Sequence, residues 1–164
     1  MFDREIDISV LEGVETLTNL RQLVIGRNHI EHVGTVLRNC SLLEELNIAG
    51  NNIWSFDDIL ELESLPHLTR IAFSDPDYGD NPVCGLSNFH TYVLVHVKHL
   101  TQLDQQLVTE EHKRAAETTY LKKRLYYNMR IKTMKRSLNQ MLCNAFELKQ
   151  STLHVHVHTC QMVM

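Results

Sequence analysis

The chain is poor in the residues that break or staple a fold. It holds six glycines and three prolines, and none lies beyond Gly85. Nothing after that point obliges a helix to stop. The four cysteines, Cys40, Cys84, Cys143 and Cys160, stand far apart without paired spacing. That argues against a disulfide framework or a cysteine zinc cluster and points to reduced thiols. Apolar runs are only a few residues long, which excludes a membrane-spanning helix. Met1-Phe2-Asp3-Arg4-Glu5 has neither a basic start nor an apolar core, so no secretory signal is expected. Gly-rich phosphate loops, nucleophile elbows and zinc-protease helices are also missing. The ten histidines are scattered, and Glu44-Glu45 flank a strand register instead of facing each other. An enzyme is not expected, nor is a cofactor, a metal or a small-molecule substrate.

What is present is a repeat. Leu20, Leu23, Ile25, Asn28, Ile30 and Val33 recur 23 residues later as Leu43, Leu46, Ile48, Asn51, Ile53 and Phe56. A fixed period in the twenties, with apolar residues and one Asn in step, is the mark of a solenoid. In Leu-x-x-Leu-x-Ile-x-x-Asn a short strand alternates, so that Leu23 and Ile25 face inward while Gln22, Val24 and Gly26 face out. Asn28 and Asn51 then turn inward, where each amide can bond the open backbone of the neighbouring coil. One coil cannot bury such a face, so at least three stacked units are expected. An amphipathic helix is the competing reading of the spacing. It is disfavoured by Gly26, Gly50 and the Asn51-Asn52 pair at matching places.

A third unit is looser. Leu68, Ile71 and Phe73 fall in register, but Pro76 stands where the Asn belongs; either Asp75 substitutes or the coil opens there. Ser74 to Asn81 reads as an irregular acidic loop. Its oxygen-bearing side chains lack the spacing and closing glutamate of a calcium loop. Ile8, Leu11 and Val14 resemble the back half of a unit whose strand is absent, so the chain is expected to be a piece of a longer repeat protein or to have its first edge covered by a partner.

Val108-Thr109-Glu110-Glu111 reads as a helix start, with Thr109 as N-cap and Val108 placed for a hydrophobic staple. The helix is expected to run from residue 108 to about 149, roughly 60 Å at 1.5 Å per residue. Its first half is basic and includes Lys122, Lys123, Arg124, Arg130, Lys132, Lys135 and Arg136. Its second half carries Ile131, Met134, Leu138, Met141, Ala145 and Leu148 at steps of three and four, a seam that asks for a partner helix, a partner surface or its own domain. Residues 150–164, with His154, His156 and His158 alternating with valine, read as an irregular tail. No carboxylate or cysteine is spaced to complete a metal site with those histidines.

The net charge of −4 hides an asymmetry. Residues 1–111 hold 6 Lys/Arg against 18 Asp/Glu, a net −12, and residues 112–164 hold 10 against 2, a net +8. An acidic body with a basic extension presents two surfaces to different partners.

The central units resemble the leucine-rich repeat family in its short, 22-residue class, over Ile8 to Asp104. Asn81-Pro82-Val83-Cys84, Tyr92-Val93-Leu94 and Leu100-Thr101-Gln102-Leu103-Asp104 are similar to the C-terminal cap of that class, in which a helix covers the last coil. The implied fold is an α/β repeat: a short leucine-rich repeat solenoid with a parallel sheet on its concave face, a C-terminal cap over residues 1–107, then the long helix. The concave positions are Gln22, Val24 and Arg27, then Glu45, Asn47 and Ala49, then Arg70, Ala72 and Ser74. They suit docking of a protein segment, the plain alternative being ordinary solvated surface.

From Ser74-Asp75-Pro76-Asp77-Tyr78 through Tyr120 to Arg130, the chain also resembles the multi-repeat leucine-rich proteins of cilia and flagella, of the leucine-rich-repeat-containing protein nine type. That resemblance implies a non-enzymatic scaffold of the axoneme, cytoplasmic, with tubulin-associated protein partners in a larger assembly and no membrane. The basic helix would lie on an acidic lattice. Two alternatives stay open. One is a nuclear ribonucleoprotein adaptor, since capped short-class repeats occur in the spliceosomal A-prime protein. Nucleic acid is not expected there because no aromatic stacking platform with basic flanks is evident. The other is a phosphatase regulatory subunit using Arg27, Glu45 and Arg70.

Overall fold

The computed structural model describes residues 8–161, with side chains as far as Lys149. It divides into two compact units, Met1–Tyr120 and Leu121–Met164. In the first unit the elements run β1 (Gln22–Val24), α1 (Gly34–Leu37), β2 (Glu45–Asn47), α2 (Phe56–Leu62), β3 (Arg70–Ala72), β4 (Ser74–Asp75), β5 (Gly79–Asp80), α3 (Phe89–His96), β6 (Gln102–Leu103) and β7 (Gln106–Leu107). Helix α4, Glu110–Gln161, begins in this unit and continues into the second.

The sheet order is β1-β2-β3-β6-β7, with the first four strands parallel and β7 returning antiparallel. Leu23, Leu46, Ile71 and Leu103 stand in one register, which is the apolar column expected from the repeat. Leu43, Leu46, Ile48, Ile53, Leu68 and Phe73 are fully buried. Each such side chain is worth about 1.5–3 kcal/mol relative to exposure. The helices line the other side, α1 packed on α2 and α2 on α3. Phe73 meets Phe89 of α3 edge-on, with ring centroids 5.3 Å apart, so the cap helix closes the last coil as expected.

The asparagine ladder has three rungs, not two. Asn28 Oδ1 accepts from the Ile8 N–H at 3.0 Å, Asn51 Oδ1 from Ile30 at 3.1 Å, and Asn81 Oδ1 from Ile53 at 3.1 Å. Asn51 Nδ2 donates to the Ile48 carbonyl at 2.8 Å and the Ile25 carbonyl at 2.9 Å. Asn81 Nδ2 does the same with Ile48 and Phe73, both at 2.8 Å. A buried amide saturated in this way ties two neighbouring coils together, and losing its Oδ1 leaves a buried N–H unmet. Neither Asp75 nor Pro76 fills the third rung. The coil inserts the β4–β5 hairpin before returning to register at Asn81, and the segment expected to be irregular is that hairpin.

Thr109 caps α4 as expected, its Oγ1 accepting from the His112 N–H at 3.2 Å, while His112 Nδ1 faces the Thr109 N–H at 3.4 Å. Val108 does not staple onto the helix. Lys113 stands at the position a staple would need, and Val108 packs against the repeat core. Ala116 is buried and Tyr120 half-buried, its ring 6.3 Å from that of Tyr92 and 5.7 Å from that of His96. The first turns of α4 are therefore part of the repeat body, and the boundary expected at residue 108 falls at Tyr120.

Helix α4 passes the expected end at residue 149 and stays helical through Gln161. The irregular tail expected over 150–164 is thus helical backbone as far as that residue, and 162–164 lie outside the described residues. No glycine or proline interrupts it, so local propensity carries it on. The strand-like alternation of His154, His156 and His158 does not apply to helical backbone.

Candidate interaction surfaces

The register arranges the outward positions of the sheet in two rows. Gln22, Glu45, Arg70 and Gln102 form one; Val24, Asn47 and Ala72 form the other. Six of the nine concave positions expected from the sequence, Gln22, Val24, Glu45, Asn47, Arg70 and Ala72, thus share these rows. Within them, Arg70 Nε donates to Glu45 Oε2 at 3.1 Å and a second guanidinium nitrogen pairs with the same oxygen. Arg21 pairs with Glu44 one position earlier, through a single guanidinium nitrogen. Pairs this exposed contribute at most about 1 kcal/mol to stability. Asn47 Oδ1 accepts from the Ala49 N–H at 3.1 Å. Val24 is 48% exposed, an apolar spot beside the polar row.

A groove of about 360 Å³ lies over this face, lined by Glu45, Asn47, Arg70, Ala72, Asp75, Gln102, Asp104 and Gln105. Its wall is built by Asp104, which the sequence reading placed at the end of the cap motif, and by Gln105, which it did not single out. Asp104 Oδ1 accepts from the N–H groups of Phe73 and Ser74, at 2.8 and 3.0 Å, and Gln105 Nε2 donates to the Ser74 carbonyl at 3.2 Å. These bonds hold the root of the β4–β5 hairpin. Asp104 is also in the left-handed region, at φ 54°. The sequence signal for its place is the Leu100-Thr101-Gln102-Leu103-Asp104 motif of the cap.

The tip of the hairpin folds back over the first coils. A Cβ at Gly26 would lie 2.6 Å from Tyr78 Cγ, and one at Gly50 would overlap the Tyr78 carbonyl. Gly50 also sits at φ 66°, so two constraints select glycine there. Arg27 occupies the equivalent position one coil earlier, at φ 57°, with its N–H bonded to the Ala49 carbonyl at 2.9 Å. It belongs to this rim rather than to the strand rows. Ala49, expected on the open face, is fully buried, and the hairpin that reaches Gly50 occupies the surface next to it.

On the other side, Asp58 is nearly buried and was not singled out by sequence reasoning. Its Oδ1 accepts from the Val33 N–H at 3.1 Å, satisfying the backbone where α1 begins, and its Oδ2 lies 3.4 Å from His32 Nδ1. Cys84 has its thiol pushed up to about 11, chiefly by burial. Cys40 is also raised, by burial and then by Glu15. Both are poor nucleophiles in this setting. Among the described residues no cluster of His, Cys, Asp and Glu could hold a metal ion. Among the same residues no helix is long and apolar enough to cross a membrane.

The second unit is a different surface. Lys122, Lys123, Arg124, Arg130, Lys132, Lys135 and Arg136 are all exposed, and so is every other residue from 121 to 149. Arg130 NH1 donates to the Tyr126 hydroxyl at 3.2 Å along the helix.

Stacked coils, a saturated asparagine ladder and a helical cap define a capped interaction solenoid. The family profile described as leucine-rich repeat matches residues 2–130. The chain belongs to the leucine-rich repeat family. It is 29% identical over 107 residues to leucine-rich repeat-containing protein 23 of Bos taurus, covering 65% of this chain and 30% of that protein. It is 36% identical over 108 residues to cilia- and flagella-associated protein 410 of Mus musculus, covering 64% and 39%. To the U2 small nuclear ribonucleoprotein A' of Saccharomyces cerevisiae it is 31% identical over 114 residues, covering 67% and 44%. The matched region spans less than half the length of each of these relatives.

Proposed function

We propose that this chain is a non-enzymatic scaffold of the ciliary or flagellar axoneme. Its concave face takes a segment of a partner protein, and the basic stretch of α4 lies on an acidic lattice such as tubulin. The observation that carries this reading is the cationic run from Lys122 to Arg136, exposed throughout, in a chain whose first 111 residues are net acidic. Likeness to cilia- and flagella-associated protein 410 supports the location. Exposed cations on a rigid helix gain most from a surface of opposite charge, and that gain is screened by salt.

The test is co-sedimentation of the full chain with microtubules at low and moderate salt, beside a variant with Lys122, Lys123, Lys132 and Lys135 all changed to Glu. Salt-sensitive pelleting of the natural chain, lost in the variant, is the expected result. Equal pelleting of both, or pelleting of neither, overturns the tubulin reading. The similarity to the U2 A' protein favours a second reading, a nuclear ribonucleoprotein adaptor. It predicts RNA binding whose affinity falls with salt in proportion to the phosphates neutralised.

A further inference from the structure

Residues 127–149 of α4 carry an exposed apolar line. Ile131, Met134, Leu138, Met141, Ala145 and Leu148 follow at alternating steps of three and four, which keeps them on one seam of a helix. The five large ones are 49–68% exposed. A seam of this kind is a surface for another helix, and the charges beside it say which kind.

With Ile131 placed at the first core position of a heptad, the residues bordering the seam are fixed. The charged ones among them are Lys123, Arg130, Lys135 and Lys149, and the others, Asn128, Ser137, Leu142 and Asn144, carry no charge. Glu147, the one acid in this stretch, stands on the outer side. A second copy packed in parallel brings Arg130 of each chain against Lys135 of the other. Packed antiparallel, it again meets only cations or neutral groups along both borders. Like charges at these positions destabilise pairing, and opposite charges set the choice of partner.

We propose that residues 127–149 are one half of a heterotypic coiled coil. The partner is an amphipathic helix with apolar core positions bordered by Glu or Asp. The proposal rests on reading α4 as a partner-docking element and is independent of tubulin and of ciliary location.

The test uses the full chain and two designed helical peptides of about four heptads. Both have leucine at the core positions; one has Glu along both borders and the other Lys. Alone, the chain sediments as a monomer at micromolar concentration. It binds the Glu peptide at least about tenfold more tightly than the Lys peptide, a difference that narrows with salt. The Arg130→Glu, Lys135→Glu double variant reverses that preference, and Met134→Ser with Leu138→Ser abolishes Glu-peptide binding at unchanged helix content. Equal binding of both peptides overturns the proposal, as does binding of neither. Retained binding by the serine variant overturns it too, since charge alone then suffices, and so does a stable self-dimer dissolved by that variant. Lost microtubule pelleting with an intact peptide preference sinks the tubulin reading alone. Intact pelleting with no peptide preference sinks this one alone.

Discussion

Up to Tyr120, Leu46, Ile48, Ile53 and Phe73 are fully buried, whereas beyond it Leu125, Met134, Leu138 and Phe146 are each more than half exposed. Polar groups divide the same way. Asn51, Asn81, Asp58 and Asp104 bond backbone groups of other coils, while Gln140, Asn144 and Thr133 bond only within their own helix. The body is held by long-range contacts between coils, and the bonds of Arg130, Thr133 and Gln140 in the extension are local to its helix. Stability therefore resides in the first region, and capacity for new contacts in the second.

The sharpest way to break this contrast is a matched pair of substitutions. Leu46→Ala removes a buried column residue and should cost about 2–5 kcal/mol. Asn81→Ala, which strands the Ile53 N–H and takes one of two donors from the Ile48 and Phe73 carbonyls, should cost about 1–3 kcal/mol by the same unfolding titration. Leu138→Ala should change stability by less than about 0.5 kcal/mol. Similar losses at Leu46 and Leu138 would show that the seam is already buried in the isolated chain.

Gly50→Ala comes next. Its positive φ and the overlap with the Tyr78 carbonyl should cost about 1–3 kcal/mol, and Tyr78→Ala in the same chain should recover little of it, because the carbonyl stays in place. Full recovery would show that the hairpin backbone moves away once the ring is gone and that the left-handed backbone carries no strain of its own.

The mildest test is chemical. At pH 8, Cys143, which is exposed, should be alkylated well before Cys40 and Cys84 in the folded chain. The sign for Cys84 follows from its raised pKa. The folded state resists losing the thiol proton, so the unfolded chain releases it first. The associated stability is whole below the ordinary thiol range and declines as pH rises from there toward about 11. Replacing Cys84 with Ser should flatten that decline.

Much of the body was legible as period. Leu23, Leu46 and Ile71 announce the column, and Asn28 and Asn51 the first rungs, because each coil obeys the same local rule. The third rung was not legible. Asn81 lies ten residues after Ile71 instead of five, and nothing local tells an inserted hairpin from an opened coil. The concave rows follow from strand alternation and register. The Arg70–Glu45 pairing and the wall set by Asp104 needed coils apart in sequence to be brought side by side. Ala49 was misplaced for the same reason, since its burial goes with a hairpin contributed by a later coil.

The sequence by itself determined the strand register, the cap, the helix start at Thr109 and the split of charge, all consequences of residue spacing and local propensity. Tertiary structure alone decided where the third coil rejoins the ladder, which glycines lie under Tyr78 and how far α4 belongs to the body. Those outcomes depend on contacts between residues roughly 20–50 positions apart, and such contacts leave no periodic trace in the chain.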